Sequence, residues 1–251
     1  MRKRARLRCT VDWTVDDRMR PDSNRQATIV LRIVLAALGV FGLMAVLVLA
    51  KQTEPFDTAV FLAMRDPEDI SNAWGPAWFE EAAAEFTALG GYTILVTIAL
   101  ICIIGLVLAR EGAAALFLAV TLLSGSILSS VLKVFFARPR PDLVDHMDKT
   151  FTASFPSGHS MFGMLAWLTL AAIVTRFVPT PRFRVFTVTT ALLIGILIGV
   201  SRIYLGVHWP SDVIAGWSLG IAWSGTCWLV AHSINRARRR GESVLPGNPR
   251  L

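Results

Sequence analysis

The sequence predicts an all-α fold, a polytopic bundle of six transmembrane helices. Three observations predict it. Hydrophobic residues make up 54% of the 251-residue chain, more than soluble domains ordinarily use. Six apolar segments approach the ~20 residues that a helix needs to cross a bilayer. The basic residues between those segments also concentrate on alternate connections.

The first 26 residues form a basic leader carrying Arg2, Lys3, Arg4, Arg6, Arg8, Arg18, Arg20 and Arg25. A first span is expected from Ala27 to Ala50. Its apolar run far exceeds the ~7 to 15 residues of a signal-peptide core, so it reads as a retained helix. The connection from Lys51 to Thr87 is acidic, with Glu54, Asp57, Asp66, Glu68, Asp69, Glu80, Glu81 and Glu85, and it also holds Phe56, Phe61, Trp74, Trp78 and Phe79. That mixture predicts short amphipathic helices at the membrane interface, with aromatic rings at headgroup depth. They would serve as a structural cap, or as a gate shaping lipid access. Further spans are expected at Ala88 to Ala109, Ala113 to Leu132, His159 to Val178, Val185 to Tyr204 and Asp212 to Ile234. Residues 27–235 thus read as one six-helix domain. A basic tail over 236–251 follows, with Arg236, Arg238, Arg239 and Arg240, and its end from Gly241 is expected to be disordered.

The leader, Arg110, the Arg176–Arg182–Arg184 loop and the tail fall on one face, which the charge bias of membrane proteins makes cytoplasmic. Both termini are therefore expected inside a bacterial inner membrane, with the other face toward the periplasm or exterior. The net charge of +7 is then a topology signal with some attraction for anionic lipid headgroups; no nucleic-acid fold signature accompanies it. Cys9, Cys102 and Cys227 lie in a basic leader and two apolar runs, which implies no disulfide. No sequence feature signals an oligomeric state.

Three polar clusters stand at the outward ends of these spans. Such groups beside a bilayer suggest function. In the last cluster Pro210 suits the first turn of helix six, so His208 precedes that helix and Asp212 lies in its first turn. The carboxylate can accept a hydrogen bond from the imidazole Nδ1–H, which leaves Nε2 as a free nucleophile. Taken alone, the pair also fits a capping Asp beside an interfacial His. Arg202, six residues upstream, offers a guanidinium fork matched to two phosphate oxygens.

The middle cluster is Pro156-Ser157-Gly158-His159, at the start of helix four. Backbone N–H groups there point toward an anion, Gly158 permits close approach, and Ser157 adds a hydroxyl. His159 is placed to protonate a leaving oxygen as a general acid. In the first cluster Lys133 ends helix three and Arg140 follows between Pro139 and Pro141, on a stiffened loop. Two cations on such a loop suit a phosphoryl group and its transition state. Arg138 is expected at the outer surface, as a headgroup contact. No carboxylate cluster or close His pair suits a metal. Phosphoryl transfer through a phosphohistidine, without metal or cofactor, is the simplest chemistry these groups support.

The three clusters resemble the signature of the type 2 phosphatidic acid phosphatase (PAP2) superfamily, the lipid phosphate phosphatases related to vanadium haloperoxidases. Its parts, Lys-x6-Arg-Pro, Pro-Ser-Gly-His and Ser-Arg-x5-His-x3-Asp, match here as Lys133 with Arg140-Pro141, Pro156 to His159, and Ser201-Arg202 with His208 and Asp212. The resemblance implies that His208 attacks phosphorus, Asp212 orients it, and His159 protonates the leaving group. It implies that Lys133, Arg140, Ser157, Gly158 and Arg202 hold the phosphoryl oxygens. Glu85 to Gly91 resembles a segment that in many bacterial members begins with Asp, a difference expected to touch no catalytic position. The implied substrate is a phospholipid or polyprenyl phosphate: undecaprenyl diphosphate, phosphatidic acid, phosphatidylglycerol phosphate or diacylglycerol pyrophosphate. A lipid phosphotransferase or a non-catalytic lipid-binding protein would share much of this pattern.

Overall fold

The computed structural model describes residues 23–144, 152–178 and 180–244. The leader through residue 22, with Cys9 and most of the leader's basic residues, lies outside the described residues, as does the end of the tail from residue 245. Among the described residues the regular structure is helical: α1 (Ser23–Leu49), α2 (Glu54–Leu62), α3 (Ala77–Ala88), α4 (Tyr92–Leu108), α5 (Gly112–Phe136), α6 (Gly158–Phe177), α7 (Pro181–Tyr204) and α8 (Pro210–Val244). In hydrocarbon a helix satisfies all its own backbone polar groups, which is why the apolar runs adopt it.

Helices α1, α5, α6, α7 and α8 are each long and apolar enough to cross a bilayer. The expected second span departs from a single straight helix. At 17 residues, α4 is about 25 Å long, short of a ~30 Å hydrocarbon layer. It joins α3 across a 46° bend, and the bent pair passes the same test as one broken span. The bend falls at Leu89-Gly90-Gly91. A Cβ at Gly90 would lie 2.4 Å from Ile198 Cγ2 on α7, so the missing side chain lets the chain turn directly against its neighbour. The expected short helices of the outer connection are α2 and α3, and Trp74 and Trp78 between and within them are 58% and 61% exposed.

Helix α8 is the hub, packing against α1, α6, α7 and α5. In α6, 56% of the apolar window is buried, against 11% in α1, so α6 forms the interior and α1 faces lipid. Lipid tails are as apolar as leucine, so close backbone approach rather than water exclusion holds such helices together. Gly216 and Gly220 supply it: their Cβ atoms would stand 2.8 Å from Ser157 O and 2.7 Å from Met161 O. A second apolar cluster links α4, α5 and α6 through Leu95, Leu118, Leu122, Phe162 and Leu165.

This up-and-down order brings the C-terminal ends of α5 and α7 to the N-terminal ends of α6 and α8. The other end of the bundle is tied by Arg236 Nη1 donating to Asn24 Oδ1 at 2.7 Å, and Arg176 lies 4.0 Å from Glu111 there. All three polar clusters therefore share one end of the molecule.

Candidate active site

Short local rules place each side chain. Ser157 caps α6: its Oγ accepts from Ser160 N at 3.4 Å and from Ser160 Oγ at 2.8 Å. With both lone pairs engaged, its own O–H remains the group it can donate. The Ser157 amide donates to Asp212 O at 3.0 Å, which joins the starts of α6 and α8 through main-chain atoms. Lys133, in the last turn of α5, passes beside Gly158: a Cβ there would lie 3.3 Å from Lys133 Cε. Its Nζ donates to Ala153 O at 2.6 Å.

The Arg140 loop is closed by Ser154 N donating to Arg138 O at 2.9 Å. Arg140 is aimed by its own bonds, Nε to Thr152 O at 2.8 Å and Nη1 to Val207 O at 2.6 Å. Nη1 also stands 3.2 Å from His208 Nε2. A guanidinium only donates, so Nε2 carries the lone pair and the ring proton sits on Nδ1.

On the other side of the ring Asp212 is not the direct partner that the spacing implied. His208 Nδ1 lies 3.5 Å from Asp212 Oδ2, long for a hydrogen bond. Ser154 stands between them, with Oγ 3.2 Å from Nδ1 and donating closely to Asp212 Oδ2. The same carboxylate oxygen accepts from Trp209 N at 3.0 Å. The chain therefore runs from Nδ1–H to Ser154 to Asp212, and all three residues are buried. Ser154 belongs to no part of the motif, and its position in the loop before Pro156 gave no signal.

Burial holds the His208 imidazole well below its ordinary pKa, helped by the positive charges of Arg140, Arg202, Lys133 and His159. These four face it from four separate segments, so the distant motif members converge on one ring. The ring thus stays neutral with Nε2 available. Arg202 is 1% exposed, and its Nη1 donates to Thr87 Oγ1 at 3.0 Å. Glu85 itself is exposed. The segment around it nonetheless reaches the site through Thr87.

Arg138 corrects the expectation made for it. It is not a surface headgroup contact; its side chain is 13% exposed and pairs with Asp57 and Asp212. An ion pair across this distance in sequence leaves no local pattern, which is why composition alone pointed outward.

The pattern that defines the PAP2 superfamily matches residues 114–236. Phosphatidylglycerophosphatase B of Bacillus subtilis is 31% identical over 145 residues, covering 57% of this chain and 71% of the relative. This chain belongs to the PAP2 superfamily. An undecaprenyl-diphosphatase of Sulfolobus acidocaldarius is 29% identical over 122 residues, 46% of this chain and 54% of that protein. A lipid A 1-phosphatase of Rhizobium etli is 34% identical over 114 residues, 41% and 44% of the two chains. The crystal structure of a transmembrane PAP2-type phosphatidylglycerolphosphate phosphatase from Bacillus subtilis superposes with a TM-score of 0.65 at 24% identity, over 83% of this chain and 96% of that one. That likeness speaks for the fold. The protein is accordingly an all-helical membrane member of the PAP2 lipid phosphatase family.

Proposed function

We propose that this protein hydrolyses a lipid phosphate or diphosphate at the extracytoplasmic surface through a phosphohistidine on His208. The observation that carries the proposal is the poised imidazole: Nε2 faces Arg140 at 3.2 Å as an acceptor, while Nδ1 is tied through Ser154 to Asp212. Nε2 attacks phosphorus, a P–N bond forms, and the P–O bond to the lipid breaks. His159 gives its proton to the departing oxygen. Water then attacks the phosphohistidine while His159 takes a proton from it, which releases orthophosphate and restores both rings. Lys133, Arg140, Arg202, the Ser157 hydroxyl and the backbone at Gly158 bind the phosphoryl oxygens and stabilise the charge that develops on them. Asp212 offsets the positive charge that the attacking imidazole acquires.

The names of the relatives supply the candidate lipids: phosphatidylglycerol phosphate, undecaprenyl diphosphate and lipid A 1-phosphate, with phosphatidic acid added from the superfamily resemblance. The basic residues at the opposite end of the bundle support an outward-facing site in a bacterial inner membrane. The test is phosphate release by the purified full chain in detergent micelles against this panel, with EDTA present and His208→Ala as control. Release by wild type alone is expected. Release by the variant, or transfer to a second lipid with no free phosphate, would overturn the proposal.

A further inference from the structure

Arg138 is two residues from Arg140 in the loop after α5, yet its guanidinium is engaged elsewhere. Nη1 donates to Asp212 Oδ1 at 2.6 Å and to Ser211 Oγ at 2.8 Å. Nη2 donates to Asp57 Oδ2 at 2.8 Å and to Thr53 Oγ1 at 3.1 Å. Asp57 comes from α2 in the outer connection and is 1% exposed. It also accepts from Ser211 N at 2.8 Å and Ser211 Oγ at 2.7 Å, so it caps α8 from outside the helix. Apolar packing seals the same junction: Phe61 of α2 lies 5.8 Å from Trp209 between ring centroids, and Arg138 sits 5.9 Å above Trp209.

Asp212 is fully buried, and its two oxygens have separate partners. Oδ1 is held by Arg138, while Oδ2 meets Ser154 and Trp209 N. A buried carboxylate needs a cation and hydrogen bonds to stay charged. A carboxylate gripped at one oxygen also presents the other in a fixed direction. We propose that Arg138 and Asp57 are positioning residues for phosphoryl transfer at His208: Arg138 holds Asp212 charged and in register for Ser154 and His208, and Asp57 holds Arg138. Through this chain the interfacial helix α2 becomes part of the catalytic apparatus. The inference rests on His208 being the nucleophile. Arg138 touches neither His208 nor its Nε2 side, which separates its role from that of Arg140.

The experiment compares wild type, Arg138→Gln, Arg138→Lys, Asp57→Asn, the Asp57→Asn/Arg138→Gln double variant and His208→Ala. Each full chain is assayed in detergent micelles with whichever panel lipid wild type hydrolyses fastest, and its unfolding midpoint is recorded. Arg138→Gln is expected to lower kcat about 100-fold with KM held within about threefold, because an interaction acting through Asp212 belongs to the transition state. Arg138→Lys restores part of the loss, since it keeps the charge but not the fork. The double variant is expected to exceed Arg138→Gln in kcat, because no unpaired Asp57 is left in a dry site, and it carries the test should Arg138→Gln fold poorly.

Wild-type kcat in Arg138→Gln or in the double variant, with His208→Ala inactive, would overturn this inference and leave the nucleophile standing. A loss confined to KM would make Arg138 a phosphate contact and overturn it as well. A kcat that follows the unfolding midpoint, without recovery in Arg138→Lys, would reduce the pair to structural residues. An active His208→Ala, or no hydrolysis of any panel lipid by wild type, would remove the proposed function and this inference together.

Discussion

Replacing Ser154 by alanine deletes one oxygen atom and separates His208, the proposed nucleophile, from the Asp212 carboxylate. Ser154 Oγ lies 3.2 Å from His208 Nδ1 and bonds Asp212 Oδ2 directly, in a place from which solvent is excluded. Without it Nδ1–H faces Asp212 across 3.5 Å, long for a hydrogen bond. A hydrogen bond to a charged group contributes about 1.5–3 kcal/mol. The part of that interaction which strengthens as the imidazole becomes cationic appears in the barrier, where about 1.4 kcal/mol is tenfold in rate. Ser154→Ala should therefore lower kcat by about 10- to 100-fold. KM should hardly change, because the serine does not reach the phosphoryl side of the ring. The assay is phosphate release under saturating and limiting lipid, with the unfolding midpoint as a control for integrity. A kcat within about twofold of wild type would show that Asp212 closes the gap unaided and that the bridge has no catalytic consequence.

Other outcomes follow from the same geometry. His208 is kept neutral partly by Arg140, so Arg140→Gln removes a cause that depresses its pKa. The ring then gains its proton at higher pH, and the acid limb of the kcat/KM profile should move upward; a lower rate with an unmoved limb would refute this. Thr87→Val leaves Arg202 without its 3.0 Å hydroxyl partner and should lower kcat/KM about tenfold, through one bond to a charged group; steady-state kinetics decide it, and an unchanged value would sink the role given to Thr87. Gly220→Ala puts a methyl 2.7 Å from Met161 O and should cost about 1–3 kcal/mol, read as a lower unfolding midpoint in detergent, whereas an unchanged midpoint would show that α6 and α8 separate without strain.

The parts of the site legible in the sequence were those bound by fixed spacing. Lys133 to Arg140-Pro141, Pro156 to His159, and Arg202 to Asp212 each lie within about three helical turns, and the span ends carried them to one end of the bundle. Three other residues were hidden for distinct reasons. Ser154 works through residues more than fifty positions away, and a serine before a proline loop is commonplace. Asp57 is one of eight acidic residues in the outer connection, and only folding buries it. Arg138 looked like its neighbours on a basic loop, since its partners come from α2 and α8. The break between α3 and α4 falls within a few residues of the expected boundary between Thr87 and Ala88; what the local sequence does not display is Ile198, the neighbour that leaves no room for a Cβ at Gly90.

The bond from the Ser157 amide to the Asp212 carbonyl joins two helix starts with main-chain atoms that every residue type but proline brings. The separation between those starts depends on the bare backbone at Gly216, where a Cβ would stand 2.8 Å from Ser157 O, and not on the lipid-facing side chains. Changes along the lipid-facing flanks of α1, α4, α5 or α7 alter what the membrane or an acyl chain meets without moving that junction. The main chain at one pole thus fixes where the candidate site assembles, and the side chains along the shaft are left to meet the bilayer.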